Sequence, residues 1–201
     1  MRRMAPVAGL HGSGVRLESA KSGLEKAFVM KKSIWIPLTL LVVLYVGFLA
    51  FVGSTAHRLP ERLATHFNAS GEPDGWMSRA GHVRFVLLVG SSISLFMIAI
   101  CYPVRFLPAG LINIPNRDHW LTPERRPQAD RILLHHSVWF ACLCVTFMAA
   151  LHYLVLQANQ VVPPQLSVAA VLLVIGSFMV GILAWILTLL FRFRLPSPGG
   201  A

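Results

Sequence analysis

The residues best suited to chemistry lie in one run, residues 59–76, which reads LPERLATHFNASGEPDGW. Five of its side chains could contact a ligand or partner through an imidazole, an amide, two carboxylates or an indole: His66, Asn68, Glu72, Asp74 and Trp76. Such groups can bind a divalent metal, contact a peptide or titrate as a pH sensor. The alternative is a folded loop in which the histidine and the acids hydrogen-bond the loop's own backbone turns. The sequence leaves both interpretations open.

A metal site has little support in the spacing of its possible ligands. His57, His82 and His152 are expected on the same side of a membrane as this run, which keeps metal binding open. The chain has no His-x-His or Cys-x-x-Cys pair, however. We therefore predict no bound metal and no cofactor.

A second polar cluster lies further along the chain. Its members can form ion pairs or hydrogen bonds, and they are Asn116, Arg117, Asp118, Trp120, Glu124, Arg125 and Arg126. They could form a docking surface, or an ion-paired network that fixes a loop against the ends of helices. The sequence does not decide between these two roles.

Motifs of known catalytic chemistry are missing from the sequence. There is no nucleophile elbow, phosphate-binding loop or zinc-protease motif. Coupled transport usually leaves ionisable residues inside the bilayer, and the centres of the apolar segments have no acidic or basic residue. We predict that the protein is not an enzyme. The alternative function is a small transporter or a metal-dependent membrane enzyme.

The elements that must position these clusters are four apolar blocks. Apolar residues make up 55% of the chain and charged residues 13%, whereas soluble domains are roughly a quarter charged. At about 1.5 Å per residue, each block spans the roughly 30 Å hydrocarbon core of a bilayer. The predicted fold class is an all-α integral membrane protein with four transmembrane helices and one structured loop between helices 1 and 2.

The distribution of lysine and arginine predicts the topology. Of the 18 basic residues, seven precede the first block, five lie between the second and third, and two follow the last. The first loop has four and the third loop has none. Because positive charge marks the cytoplasmic side, both termini are predicted cytoplasmic and the first loop extracytoplasmic. The net charge of +10 then reflects topology and contact with anionic lipid, and we predict no nucleic-acid partner.

The chain divides into nine predicted segments. They are an N-terminal tail at 1–32, a helix at 33–53, an extracytoplasmic loop domain at 54–82, a helix at 83–104, a cytoplasmic loop and helix start at 105–131, a helix at 132–158, an outer turn at 159–165, a helix at 166–191 and a tail at 192–201. The first tail is expected to be disordered, or an over-extended gene start with the natural start at Met30.

Local signals add detail within the loops. Pro60 favours a short helical turn at 59–63, residues 65–68 alternate polar and apolar as a strand would, and the Pro-Asp-Gly run at 73–75 predicts a turn. In the second loop, Thr-Pro-Glu at 122–124 predicts the start of the third helix.

Two runs carry a resemblance to a known family. Residues 59–76 and residues 114–126, IPNRDHWLTPERR, resemble the bacterial SdpI-like membrane proteins, most closely the uncharacterised branch that shares their outer-loop domain of unknown function. The likeness covers about residues 33–160. The family commonly has proline before Thr-His-Phe, where this chain has Ala64.

The namesake of that family is an immunity and signalling protein that recognises a secreted peptide toxin and tethers a transcriptional repressor. This chain lacks the additional helices of that longer protein, so the resemblance does not extend to toxin immunity itself. It implies a small envelope protein whose outer loop recognises something. We therefore predict a multi-pass protein of the bacterial inner membrane that acts in envelope sensing, in an immunity-like role or as an accessory subunit. Its expected partners are the lipid bilayer and a peptide or another membrane protein.

Overall fold

The structure is a computed structural model that describes residues 34–101 and 103–195. The predicted tail at 1–32 and residues 196–201 lie outside the described residues. From Pro37 onward the described residues belong to one compact unit.

Four long apolar helices make up most of the described chain. They are α1 at residues 34–55, α2 at Arg79–Cys101, α4 at Arg126–Ala158 and α5 at Val168–Arg192, and a one-turn helix, α3, lies at Arg117–Trp120. With the 3-10 turn Ala56–Arg58 counted as part of α1, all four are long and apolar enough to cross a membrane. The chain is thus a mostly helical, multi-pass membrane protein, as its four apolar blocks predict.

An apolar core forms where α1, α2 and α4 meet. Its buried members are Leu41, Phe48, Val52, Val86, Val138, Ala141, Cys142, Val145 and Met148. Gly90 of α2 allows the close approach, because a Cβ atom there would lie only 2.8 Å from the ring of Phe48 and 3.5 Å from the side chain of Met148. The Tyr45 hydroxyl also lies 2.7 Å from that of Ser91, which joins α1 to α2 by a hydrogen bond.

Helix α5 lies against α4 and has no fully buried residue. The rings of Phe147 and Phe178 stack with their centroids 4.0 Å apart. Nearer the end of the helix, the indole N–H of Trp185 donates to the carbonyl of His136 at 2.8 Å. In an isolated chain most of α5 is exposed, which is the state expected of a helix that faces lipid.

The first loop contains a β-hairpin, so the all-α prediction is wrong at this point. Strand β1 (Arg62–Phe67) pairs antiparallel with β2 (Pro73–Ser78). The expected extended conformation of residues 65–67 is confirmed, since they lie in β1.

Two local predictions in this loop are wrong. The expected helical turn at 59–63 is replaced by the earlier 3-10 turn, and Leu59 is already extended. The expected turn at 73–75 lies inside β2, and the chain reverses at residues 68–72 instead. Proline is compatible with the beginning of an edge strand, because its missing N–H need not pair there.

The loop between α2 and α4 is built from short turns. It contains 3-10 turns at Pro103–Phe106 and Ala109–Leu111, followed by α3. The predicted helix start at 122–124 is wrong by a few residues, because α4 begins at Arg126 with a proline in its first turn. The Thr122 carbonyl accepts hydrogen bonds from the N–H groups of Arg125 and Arg126, so residues 122–125 form a turn that leads into the helix.

Candidate functional site

The tip of the hairpin is organised by the side chain of Asn68. Its Oδ1 accepts hydrogen bonds from the N–H groups of Ser70 at 2.9 Å and Glu72 at 3.0 Å, and its Nδ2 donates to the Glu72 carboxylate at 3.0 Å. Gly71 completes the turn with a φ of +81°, which an L side chain rarely adopts. The two predicted site residues Asn68 and Glu72 therefore shape the turn, which is the structural interpretation of that pair.

The outward side of the hairpin carries four exposed side chains, called the exposed face from here on: Arg62, His66, Asp74 and Trp76. His66 Nδ1 contacts the carboxylate of Asp74, and the two side chains are 77% and 45% exposed. The Arg62 guanidinium lies 5.8 Å from the Trp76 ring centroid, a cation–π distance. Among the described residues, these side chains form hydrogen bonds, ion pairs and cation–π contacts only with one another, so none of them ties the hairpin to the helices in that way.

Gly75 allows the His66 side chain to reach across the strands to Asp74. It pairs with His66 across the two strands, and a Cβ atom at position 75 would lie 2.8 Å from the Cβ of His66. Only glycine leaves room for the imidazole to lie over β2 and reach Asp74. The Pro-Asp-Gly run thus serves the exposed face and not a turn.

The outer edge of β1 is held by Asn159, at the end of α4. Its Oδ1 accepts from the N–H of Ala64 at 2.8 Å, and its Nδ2 donates to the Ala64 carbonyl at 2.8 Å. Ala64 is fully buried. The carboxamide therefore pairs with β1 as a neighbouring strand's peptide group would, and it closes that edge of the hairpin.

The tip is held by the turn between α4 and α5. The N–H of Leu166 donates to the Gly71 carbonyl at 2.9 Å, and the amide of Gln165 donates to the Ser70 carbonyl at 2.9 Å. A Cβ atom at Gly71 would lie 2.2 Å from the Leu166 carbonyl oxygen. Close backbone approach and positive φ both require glycine at this position.

Beneath the hairpin lies a buried polar group that we call the histidine pair, His82 of α2 and His152 of α4. Their rings stack with centroids 5.4 Å apart, and His82 Nε2 lies 3.2 Å from His152 Nδ1. His152 Nε2 lies 2.9 Å from the Thr55 hydroxyl of α1. All three residues are buried, His152 completely. One chain of hydrogen bonds thus joins three of the four long helices.

The donors in this chain can be assigned for neutral rings. The Thr55 hydroxyl donates to the Phe51 carbonyl at 2.6 Å, so its oxygen accepts from His152 Nε2–H. His152 Nδ1 then has a free lone pair and accepts from His82 Nε2–H. Neither ring lies within 4 Å of a carboxylate among the described residues. The arrangement is therefore satisfied without a charge, which suits a site buried between helices.

The histidines expected on one side of the membrane separate in the structure. His82 and His152 meet, whereas His57 is exposed in the 3-10 turn after α1 and His66 lies on the exposed face. In residues 34–101 and 103–195, no three His, Cys, Asp or Glu side chains lie close enough together to hold a metal ion.

Sequence reasoning missed the roles of Thr55, Asn159 and the histidine pair. Asn159 lies 95 residues from its partner Ala64, and the two histidines lie 70 residues apart. No sequence spacing predicts either contact. The available signal was weak: each is a polar residue at the end of an apolar block, where a hydrogen-bond partner is needed.

At the opposite end of the helices, part of the second cluster holds helix ends. The Phe193 carbonyl, at the end of α5, accepts from Asn116 Nδ2 at 2.8 Å and from the indole N–H of Trp120 at 3.0 Å. Phe193 is fully buried, and its ring packs edge-on against Trp120. Arg126 donates to the carbonyls of Val104 and Leu107. Asn116 and Trp120 thus hold the loop against the end of α5, and Arg126 holds it against the start of α4.

The remaining members of that cluster are exposed. Arg117 and Asp118 form an ion pair at 3.5 Å in solvent, and Arg125 contacts His119. The Glu124 backbone N–H and the Thr122 hydroxyl donate hydrogen bonds to the Glu124 carboxylate, which lowers its pKa below the usual value. Residues 117, 118, 124 and 125 remain available for docking, whereas Asn116, Trp120 and Arg126 are engaged in the fold.

Comparison with known families adds one match. The Domain of unknown function (DUF1648) matches residues 39–90, which include most of α1, the whole hairpin and the first half of α2. No curated protein and no solved structure matches the chain. The matched region contains the exposed face, Thr55 and His82, but their α4 partners lie outside it: His152, which bonds Thr55 and His82, and Asn159, which bonds the hairpin.

Proposed function

We propose that this chain is a non-enzymatic recognition protein of a bacterial inner membrane, whose exposed face binds an extracytoplasmic peptide or another membrane protein. The observation that carries the proposal is a hairpin held by α4 and the turn before α5, whose exposed side chains make none of the hydrogen bonds that hold it. Arg62, His66, Asp74 and Trp76 offer both charges, a hydrogen-bonding imidazole and an indole, and Trp and Arg are enriched where proteins meet partners.

The physiological role that fits is envelope sensing, an immunity-like function or an accessory subunit. The resemblance to SdpI-like proteins supports this, because its two runs include the hairpin, and the match to DUF1648 covers the same hairpin. The apolar core between α1, α2 and α4 also favours recognition over transport, since a transporter needs a polar route through the helices.

The topology belongs to the same proposal. Charge counting favours cytoplasmic termini with the hairpin outside, and this can be measured with cysteine variants in intact cells. Ser70→Cys at the hairpin tip should react with a membrane-impermeant maleimide, whereas Asp118→Cys, on an exposed turn at the opposite end, should react only after the membrane is opened. The reverse pattern would place the exposed face in the cytoplasm and remove the extracytoplasmic ligand.

The binding function is tested by purifying the C-terminally tagged chain in mild detergent and analysing what remains bound. The chain is compared with a His66→Ala, Asp74→Ala double variant and with Gln160→Ala, an exposed residue on the outer turn. We expect a peptide or membrane protein that is lost from the double variant only. A partner that stays on all three chains would show that the exposed face is not the binding surface.

Metal analysis of the same samples tests the competing function. Zinc or another metal bound in a one-to-one ratio, without any peptide or protein, would contradict recognition and favour a metal-dependent membrane enzyme.

A further inference from the structure

Each strand of the hairpin has backbone N–H and C=O groups that point away from the other strand. The contact between Asn159 and Ala64 identifies the residues to which these groups belong. In an antiparallel pair, opposite residues alternate between those that bond each other and those whose N–H and C=O point outward. The N–H and C=O of Ala64 point outward from β1, because both bond Asn159, which lies outside the hairpin. Trp76 is directly opposite Ala64, so its N–H and C=O must point outward from β2.

The neighbouring pairs agree with this alternation. Glu61 and Arg79 face each other three positions away, and the Arg79 N–H donates to the Glu61 carbonyl at 2.9 Å. Because bonded and unbonded pairs alternate along the ladder, the pairs 61–79 and 63–77 are hydrogen-bonded to each other. The pairs 62–78 and 64–76 between and beyond them are not. Outside the hairpin, no described residue forms a hydrogen bond with the backbone of Trp76.

The open edge of β2 is short. Pro73 has no N–H to offer, and the register shifts around Asp74, so that end cannot pair with a regular strand. At the other end β2 runs directly into α2, which begins at Arg79, so Ser78 is the last residue of the strand. Trp76 therefore lies at the centre of the open edge, between the outward backbone groups of Ser78 and the irregular stretch at Pro73 and Asp74.

The charged residues beside the open edge indicate which side chains an added strand should carry. Asp74 and Trp76 lie on the same side of β2, two residues apart, and both side chains are exposed. A residue added opposite Trp76 would have its neighbours two positions away beside Asp74 and Ser78. The charged residues of the tip and of β2 before Arg79 are the acids Glu72 and Asp74. On the neighbouring strand β1, away from the open edge, Arg62 contacts the Trp76 ring and His66 contacts Asp74. A lysine or arginine two positions from the paired residue would complement the two acids from the open side.

We propose that the ligand of this protein is an extended polypeptide segment that adds as a third strand at Trp76 and places a basic side chain beside Asp74. The inference rests on the proposed recognition function and identifies its binding mode. Asn159 on the opposite edge shows the required geometry, since its amide supplies one acceptor and one donor to a single residue, as a peptide backbone does.

The test uses a defined probe, the heptapeptide acetyl-Thr-Lys-Thr-Val-Thr-Lys-Thr-amide, with the ¹⁵N-labelled full chain in lipid nanodiscs. Its lysines flank the central valine by two positions on both sides, so either strand direction places one beside Asp74. Titration should shift the backbone amide resonance of Trp76. A twin peptide N-methylated at the valine cannot donate to the Trp76 carbonyl from an antiparallel strand, and a twin N-methylated at the threonine after the valine cannot do so from a parallel strand. We expect one of the two twins to bind about tenfold more weakly than the probe, the factor for one hydrogen bond of about 1.4 kcal/mol.

Two protein variants distinguish the contribution of the Trp76 backbone to binding from that of its indole ring. Trp76→Thr and Trp76→Pro both remove the indole, but only the second removes the N–H, at a position where the hairpin itself does not use it. We expect the proline variant to bind the probe about tenfold more weakly than the threonine variant. Slow exchange of the Met77 amide in both variants checks that the hairpin is intact, and the N-methylated peptides give the answer if proline disrupts it.

Three results would overturn strand addition: no shift of the Trp76 amide up to the solubility limit of the probe, binding of both methylated twins equal to that of the probe, or a shift confined to the opposite end of the helices. The purification experiment keeps the two proposals distinct. A partner that is lost from the His66→Ala, Asp74→Ala variant but retained equally by Trp76→Pro and Trp76→Thr supports recognition and contradicts strand addition. If no partner depends on the exposed face, the recognition function itself fails.

Discussion

The two edges of the hairpin present the same kind of backbone to different surroundings. The edge of β1 is closed, because Asn159 bonds both groups of Ala64, and the tip beside it is tied to Leu166. The outer edge of β2 at Trp76 has no hydrogen-bond partner outside the hairpin in the described chain. A protein that only needed to cover its hairpin would gain from closing both edges, since open strands invite association. The difference fits our proposal that one edge serves stability and the other serves binding.

The same division applies to the polar side chains near the hairpin. The histidine pair, beneath the hairpin, is buried and hydrogen-bonded. The side chains of the exposed face are paired with each other. Substitutions in the two groups should therefore separate stability from binding.

His152→Ala should cost the most stability. It leaves Thr55 and His82 without their buried partner and opens a cavity between three helices, which together cost about 4 kcal/mol. Thermal unfolding of the purified chain in detergent, followed by circular dichroism, should show a large fall in the midpoint. His57→Ala, at an exposed position just after α1, is the control and should leave the midpoint unchanged.

Gly71→Ala should detach the tip of the hairpin. The new methyl group would lie 2.2 Å from the Leu166 carbonyl oxygen on a backbone with positive φ, and relieving that contact costs about 3 kcal/mol. Limited proteolysis at the hairpin should become faster. Gly110→Ala is the matched control, because a Cβ atom there meets nothing within 4 Å, and equal proteolysis of the two variants would show that the tip is not held.

Asn159→Ala should open the closed edge of β1. Both buried backbone groups of Ala64 lose their partner, at a cost of about 2 kcal/mol. The unfolding midpoint should fall by less than in His152→Ala, while Gln160→Ala, one residue further along, should match the parent. A midpoint for Asn159→Ala within error of the parent would mean that this edge is held in another way.

The His66→Ala, Asp74→Ala variant should have the smallest effect on stability and the largest on binding. Exposed ion pairs contribute about 0.5 kcal/mol or less, so the unfolding midpoint should hardly move. Retention of the partner in the purification experiment should nevertheless be lost. A large fall in the midpoint would contradict the separation of the two roles.

The sequence predicts the parts of this fold that depend on local composition. The four helices follow from apolar length, and the five proposed site residues all fall in or beside the hairpin. What it could not predict depends on partners far along the chain. Asn159 is an unremarkable residue after an apolar block until the fold brings Ala64 to it, and His82 meets His152 only because α2 and α4 are neighbours.

The error at residues 73–75 has a different cause. Proline, aspartate and glycine are all turn residues, but each has a second use in an edge strand: proline where no N–H is needed, aspartate at a shift of register, and glycine beneath a large side chain. The actual turn is fixed by Asn68, whose side chain makes three hydrogen bonds within five residues.

Amide hydrogen exchange of the free chain in nanodiscs tests the central claim most directly, because it reads the two edges of the hairpin separately. The account predicts that the amide of Ala64, bonded to Asn159, exchanges at least about a hundredfold more slowly than that of Trp76, the residue opposite it. Adding the heptapeptide should then slow exchange at Trp76 and leave Ala64 as it was. Equal and slow exchange at both residues without peptide would mean that the edge of β2 is already closed, and it would contradict the account.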